Sequence, residues 1–266
     1  MIITLLTDYG RDDDFVGVCH AVIAGIAPEA RVVDITHGVA RHDVRGGALV
    51  LRNTLPYIPH GVHVAIVDPQ VGTERRAVAL RADDGRIFVG PDNGLLSLAW
   101  QKAGGVTEAV DVTRSPHRLE PVSATFHGRD VFCPVAAHLA RGDELAEAGE
   151  PLDPDALETI MLPEPRSEGD SLVAHVLSID RYGNAALNVS HEDLAGTGIV
   201  LGGQVEIRTG TEHFHAVVAQ TFADVRHGDI LVYEDSYRAL SIAINRGDAA
   251  ATLQLAPDGE VWITPR

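Results

Sequence analysis

Three short stretches of the chain bring together side chains that can do chemistry. The first, TDYGRDDDF, sets Asp8, Asp12, Asp13 and Asp14 within one turn's reach of one another. Such carboxylates can hold a divalent cation, accept hydrogen bonds from the hydroxyls of a sugar, or start a helix by satisfying its free N–H groups and complementing its dipole. Asp8 stands apart because it follows the apolar run IITLL directly, and so falls at the carboxyl end of a strand, where open α/β sheets bind ligands. There it can accept from both hydroxyls of a ribose or ligate a metal. Asp12 to Asp14 precede Phe15, Val18, Cys19, Val22 and Ile26, which recur at helical spacing up to Pro28. That spacing predicts a helix beginning near Asp12, with these acids as its cap and first turn.

The second stretch, VAIVDPQVGTERRAV, repeats the arrangement: an apolar strand ends at Asp68, Pro69 and Gly72 turn the chain, and Arg75 and Arg76 open the next strand. Asp68 is therefore expected in the same cleft as Asp8. An arginine beside two carboxylates keeps them ionised and can orient an attacking water, whereas a salt bridge bracing a turn accounts for either arginine taken alone. Successive strand residues face opposite ways, so only one of the two is expected to reach the cleft. The third stretch, TFHGRDVFCPVAAHLARG, puts His127 just before an amphipathic helix, where an imidazole can act as a general base or hydrogen-bond an oxygen. FVGPDNGLLSLAW reads as turn and cap chemistry at Pro91–Gly94. Further on, SIDRYGNAALNVS joins two strands through Asp180, Tyr182, Gly183 and Asn184, and VYEDSYRALSIAIN presents Ser236 and Tyr237 at a turn.

The elements that must position these residues fall into two halves. In the first, β-branched runs (IITLL, ARVVDI, VHVAIVD, RAVALRA) alternate with helical patterns, which predicts an α/β domain with a largely parallel sheet over residues 1–165. From Gly142 to Asp170 many acids and the prolines 151, 154, 163 and 165 predict an exposed connector. Residues 170–266 carry short alternating runs punctuated by Gly and Asp and predict a smaller, mainly β domain. Cys19 and Cys133 lie in apolar stretches and read as buried thiols.

With 21 basic against 38 acidic residues the net charge is −17, which repels phosphate backbones and anionic lipid surfaces, so nucleic acid and membrane are excluded as partners. No apolar run approaches the roughly 18 residues of a membrane span, and the start lacks the pattern of a secretory signal, so a cytoplasmic location is expected.

As an ordered set, LLTDYGRDDDFVG, VDPQVGTERR, FVGPDNG, TFHGRDVFCPVAAHLA, SIDRYGN and EDSYRALSIAIN resemble the S-adenosylmethionine hydroxide adenosyltransferase family, whose relatives include fluorinases and chlorinases. The resemblance implies an α/β first domain, a β-barrel-like second domain, and a homotrimer whose sites lie between one subunit's first domain and its neighbour's second. It implies hydrolysis of S-adenosyl-L-methionine to adenosine and methionine by water attack at C5′, with no metal and no cofactor. Carried over by position, Asp68, Arg75 and His127 form a water-activating triad and Asp8 holds the ribose hydroxyls. Asn184 contacts adenine, Phe222 covers its face, and Ser236 with Tyr237 meets the methionine portion or the purine edge, with Tyr182 on the same turn as Asn184.

Two departures from the family pattern are Gln70 where a Gly is usual and Tyr237 where the fluorinase type has an Arg, although Arg238 lies adjacent. A halogenase of the same fold is the nearer alternative. Against it stand Gly128, at the position where the fluorinase type carries a hydroxyl for the halide, and the absence of the extra loop of those enzymes. The more distant alternative is a calcium-dependent nucleoside hydrolase, whose metal motif TDYGRDD partly matches; there the preceding carboxylate is replaced by Leu6, which removes a ligand from an ion that takes six to eight oxygens.

Overall fold

The computed structural model describes residues 1–266. The chain divides into two units, Met1–Ile160 and Met161–Arg266.

The first unit is built on the strands β1 (Ile2–Thr7), β2 (Arg31–Thr36), β3 (Val62–Ile66), β4 (Ala77–Ala82), β5 (Ile87–Pro91), β6 (Val106–Asp111) and β7 (Glu150–Leu152). Their order in the sheet is β2-β1-β3-β5-β4-β6-β7, parallel from β2 to β5 and antiparallel from there to the β7 edge. The run RAVALRA thus forms a strand as expected but an antiparallel one: only the short Asp83–Arg86 turn separates β4 from β5, and a parallel crossover needs a dozen or more residues. Helices α1 (Phe15–Ile26) and α4 (Cys133–Arg141) pack together on one face, and α2 (Val44–Thr54) and α3 (Ser97–Lys102) pack together as a second pair. With helices over it, β1 is buried at every position from Ile3 to Thr7, as parallel strands are. Ile3, Leu5, Val64 and Ile66 meet Cys19 and Ile23 of α1 and Val135 and Leu139 of α4 in one core. Both cysteines are buried free thiols.

Two expectations change. The helix expected from Asp12 starts at Phe15; Asp14 stands at its N-cap without a side-chain hydrogen bond, and residues 11–14 form a bend. The reason lies just upstream, where Gly10, at φ 74°, donates its N–H to the His37 carbonyl at 2.8 Å and holds the chain along the sheet edge before it can coil. The segment from Gly142 is also less exposed than its composition suggests. Leu145, Ala148 and Leu157 are buried, and β7 pairs with β6 at the sheet edge, where Pro151 costs no ladder hydrogen bond on its outer side.

The second unit comprises β8 (Arg166–Glu168), β9 (Ser171–Ile179), β10 (Ala185–Ser190), β11 (Gln204–Thr209), β12 (Glu212–Val218), β13 (Ile230–Glu234), β14 (Ala239–Ile244), the short helix α5 (Ala249–Leu253) and β15 (Glu260–Pro265). The order β10-β14-β13-β12-β11-β15-β9 closes on itself through β9–β10 pairing, giving a seven-stranded barrel with β8 added to β9. Alternate residues fill it, Leu172, Ala174 and Val176 on β9, Ala185, Leu187 and Val189 on β10, Val205 and Ile207 on β11, which is the period a barrel interior demands. No helix of either unit is long and apolar enough to cross a membrane.

Candidate active site

Strand register brings the candidate residues of the first unit to one edge. Leu6 pairs with Thr36 of β2, Thr7 with Ile66 of β3, and Val64 of β3 with Val89 of β5. The four parallel strands therefore stop together, and His37, Asp8, Asp68 and Asp92–Asn93 follow them at the carboxyl ends, the ligand side of such a sheet. Asp8 is held from both directions: its N–H donates to Ile66 O at 3.3 Å, and its Oδ2 accepts the His42 N–H at 3.0 Å. Asn93 donates to Val67 O at 2.9 Å and so ties the β5 turn to the backbone just before Asp68. Leu6, at the position where a nucleoside hydrolase carries a metal-binding carboxylate, is fully buried in the core.

Asp68, Arg75 and His127 are brought into direct contact. Arg75 donates from Nε to Asp68 Oδ1 at 3.1 Å and from Nη2 to Asp68 Oδ2 at 2.5 Å, a two-pronged pair with side chains 3% and 5% exposed. The same Nη2 lies 3.2 Å from His127 Nδ1, Nη1 donates to Arg76 O at 2.8 Å, and the guanidinium sits over the Phe132 ring at 5.4 Å. Arg76 faces elsewhere: its Nε and Nη2 reach Asp92 Oδ2 at 2.8 and 2.6 Å, and Nη2 also donates to Ala156 O. The two arginines face opposite ways as expected, although both precede β4, which starts at Ala77 rather than at Arg75. A cleft of about 600 Å³ beside them is lined by Gln70, Glu74, Arg75, Arg76, Asp92 and Asn93 among others.

Local backbone explains how residues so far apart in sequence meet. Gly72, at φ 81°, folds the Asp68–Arg75 loop against the following segment so closely that a Cβ would lie 2.4 Å from Ala124 O. His127 stands at the entry to a π-helical turn, Gly128–Phe132, which runs into α4. The wider turn is fixed by Asp130, 2% exposed, which accepts the Ser123 N–H at 2.7 Å and pairs with Arg129 at 2.6 Å. Single π turns of this kind recur at functional sites.

The electrostatics follow from these contacts. A guanidinium has no acceptor, so Arg75 donates to His127 Nδ1, and a neutral His127 must carry its proton on Nε2. Burial and then the Arg75 charge push His127 below the usual histidine pKa of 6.5, so it is neutral at pH 7. Burial pushes the Asp68 carboxyl above its usual 3.8, and the Arg75 charge and hydrogen bonds offset only part of that. Asp68 is thus a carboxylate of increased basicity near an imidazole that is a donor at Nε2.

One residue of this region carries no signal in the sequence patterns. Tyr9 packs against Phe15 and Phe126 with ring centroids 5.7 and 5.8 Å away, and a Cβ on Gly128 would lie 2.3 Å from its hydroxyl oxygen. Its hydroxyl is held protonated, by burial first and then by the cysteines, Asp8 and Asp68. The only hint in the sequence is that an aromatic residue adjoins both Asp8 and His127, in TDYG and TFHG.

In the second unit, Asp180 organises the β9–β10 turn. Its Oδ1 accepts the Tyr182 and Asn184 N–H groups at 2.8 and 2.9 Å, and its Oδ2 accepts from Asn184 Nδ2 at 2.8 Å. Phe222 opens a short 3-10 turn after β12 and leans on Tyr233 at 5.2 Å. Tyr233 pairs with Ser241, which pairs with Ala186, so register sets Phe222 and Tyr233 two strands from the Asn184 turn. Ser236 and Tyr237 occupy the β13–β14 turn, at the end of β14 that pairs with Ser190. Tyr182, Tyr237 and Phe222 are 69%, 48% and 38% exposed.

Comparison with known proteins agrees with the arrangement of both units. Residues 3–149 match the SAM hydroxide adenosyltransferase N-terminal domain and residues 174–262 its C-terminal domain. A protein of Salinispora arenicola named (R)-S-adenosyl-L-methionine hydrolase is 47% identical over 98% of this chain and 97% of its own length. A Thermus thermophilus protein of the same name is 40% identical over 94% of each. A fluorinase of Actinoplanes sp. is 30% identical over 99% of this chain and 97% of its own. A crystal structure of an uncharacterized conserved protein from Thermotoga maritima superposes with a TM-score of 0.92 at 36% identity, covering 99% of this chain and all of that one. Matched over both of its units and in the order of its motifs, the chain belongs to the SAM hydroxide adenosyltransferase family.

Proposed function

We propose that the protein hydrolyses S-adenosyl-L-methionine to adenosine and L-methionine, with Asp68 as the proton acceptor. Water attacks C5′ opposite the sulfonium; the C5′–O bond forms as the C5′–S bond breaks, and the bonding pair passes to sulfur to leave methionine as a neutral thioether. The leaving group is good and the nucleophile poor, so positioning and proton removal are what the site must supply. The observation that carries the assignment is the shared Arg75 Nη2, which occupies His127 Nδ1 and leaves the imidazole a donor at Nε2. His127 then orients the water by donating to one of its lone pairs, and Asp68, made more basic by burial, takes the proton. Arg75 holds both in place. Asp8, fixed at the end of β1, accepts from the ribose hydroxyls.

The partner residues assigned to the second unit, Asn184, Tyr182, Phe222, Ser236 and Tyr237, complete the site from a neighbouring subunit in a homotrimer. What supports this is the exposure of Tyr182, Phe222 and Tyr237 on the barrel, where a neighbouring subunit can reach them. No cofactor takes part in the proposed reaction, and the nucleophile is water rather than halide: Gly128 leaves no room for a halide-binding hydroxyl where the Tyr9 ring packs.

Incubation with S-adenosyl-L-methionine in ¹⁸O-labelled water tests the proposal. The label is expected in the 5′-hydroxyl of adenosine, with no 5′-chloro product when chloride is added. Release of adenine, or a 5′-halo product, would assign the chain to another reaction. The relatives' names carry the (R) descriptor, and of the two sulfonium epimers the (R) form is expected to turn over faster.

A further inference from the structure

A second cluster, on the other side of β1 from Asp68, has no part in this chemistry. His20 of α1, Asp34 of β2 and His37 just beyond β2 converge: His20 Nε2 and His37 Nε2 lie 2.8 and 3.2 Å from the same Asp34 Oδ1. The three atoms all fall within 4.8 Å of one another. His37 is 1% exposed, and its Nε2 is buried without a hydrogen bond, since the 3.2 Å approach to Asp34 lacks the alignment of one. Its Nδ1 lies 2.8 Å from Thr7 Oγ1, which also accepts the Tyr9 N–H. With Nδ1 occupied by Thr7, the buried Nε2 is the ring nitrogen turned toward the Asp34 carboxylate oxygen. Nε2 thus faces a carboxylate oxygen without a hydrogen bond, a position in which a cation would give both a partner.

We propose that His20, Asp34 and His37 bind a divalent transition-metal ion of the zinc class. Two imidazole nitrogens and one carboxylate oxygen suit such an ion, whereas calcium and magnesium require more oxygens. Bonds of 2.0–2.2 Å at tetrahedral angles place ligand atoms about 3.3–3.6 Å apart, so the two imidazole–carboxylate separations need to open by about half an ångström while the imidazole nitrogens already lie within 4.8 Å of each other. The His20 and Asp34 side chains are 37% and 31% exposed, which admits the ion and leaves a fourth position for water. Thr7 is the outer partner that a metal-bound histidine needs to fix its tautomer. The ion is structural here: through His37 it clamps the Thr7–Gly10 loop that carries Asp8, because the His37 carbonyl accepts the Gly10 N–H.

The other grouping of this kind, His117, His138 and Asp143, provides the control. Its imidazoles are stacked, 4.1 Å apart and 10° from parallel, so their in-plane lone pairs run side by side rather than toward one ion.

Metal-stripped full-length protein titrated with Co²⁺ is expected to bind one equivalent with the visible absorption of four-coordinate cobalt, to release it to Zn²⁺, and to melt at a higher temperature when zinc-loaded. His20→Ala, at a half-exposed position that the fold tolerates, is expected to weaken the affinity at least tenfold and to cancel the thermal shift. His138→Ala is expected to change neither. Absence of a bound equivalent in the wild type, unchanged affinity in His20→Ala, or loss in His138→Ala instead would each overturn the proposal. Because binding and melting are the readouts, the outcome stands apart from whether S-adenosyl-L-methionine is the substrate.

Discussion

At the scale of single residues, the contacts of Arg75 divide the work between Asp68 and His127, and the division can be measured. Asp68→Asn removes the acceptor while keeping the shape, and is expected to lower kcat by about 10²–10⁴-fold with adenosine affinity nearly unchanged. A loss of affinity at unchanged kcat would make Asp68 a ligand contact. Arg76→Ala is expected to act on stability instead. It removes the charged partner of Asp92, which is 7% exposed and keeps only the Glu158 N–H, at a cost of about 1–3 kcal/mol, and leaves kcat within a fewfold of wild type. The pH profile follows from the two shifted groups: Asp68 must be ionised to accept a proton, and His127 must be neutral to accept from Arg75. The Asp68 pKa lies above 3.8 and that of His127 below 6.5, so activity is expected to rise with pH, with its acid limb centred above pH 3.8 and His127 already neutral at pH 7. An acid limb centred at or below pH 3.8 would contradict the role given to Asp68, and a His127 that titrates above pH 6.5 would contradict its shift.

At the scale of elements, the notch at Gly128 joins the β1 loop to the π turn, because the Tyr9 hydroxyl occupies the space a side chain there would need. Gly128→Ser is expected to displace the Tyr9 ring and with it both Asp8 and His127, lowering activity at least tenfold. Tyr9→Phe in the same chain removes the 2.3 Å clash but leaves the ring carbon at 3.2 Å, so it should restore activity in part. Equal activity of the single and double variants would show that the two elements are not coupled there. This coupling marks what could be read from the sequence and what could not. Strand ends were legible because an apolar run followed by Asp and Gly is a local signal, and that placed Asp8 and Asp68 on one edge. The opposite facing of Arg75 and Arg76 was legible from strand alternation, although the strand itself begins only at Ala77. The direction of β4 and the start of α1 at Phe15 were not, since the first depends on a short turn between neighbours and the second on the Gly10–His37 bond across the sheet edge. The π turn and the Tyr9 contact leave no periodic trace, because they are set by who packs against whom.

At the scale of the whole molecule, the net charge of −17 favours a substrate whose sulfonium and ammonium outweigh its one carboxylate, and disfavours the approach of a halide. Raising the salt from about 10 mM to about 0.5 M shrinks the screening length from roughly 30 Å to below 8 Å and should lower kcat/KM with little change in kcat. A salt-independent kcat/KM would remove electrostatic attraction from the account. The proposed assembly makes a stricter demand. Asp8 belongs to the first unit and Asn184 to the second, and each is fixed within its own unit, by His42 N and by Asp180 respectively. If one adenosine meets Asp8 of one subunit and Asn184 of its neighbour, Asp8→Ala and Asn184→Ala proteins are each inactive alone. A trimer containing both then holds at least one site with both wild-type residues. Dissociating and reassembling an equal mixture should therefore regain a substantial fraction of wild-type activity, whereas either variant reassembled with itself should regain none. If subunit exchange is verified by mass and activity stays at the level of the separate variants, the two residues serve the same subunit's site, and the exposed rings of the barrel require another purpose.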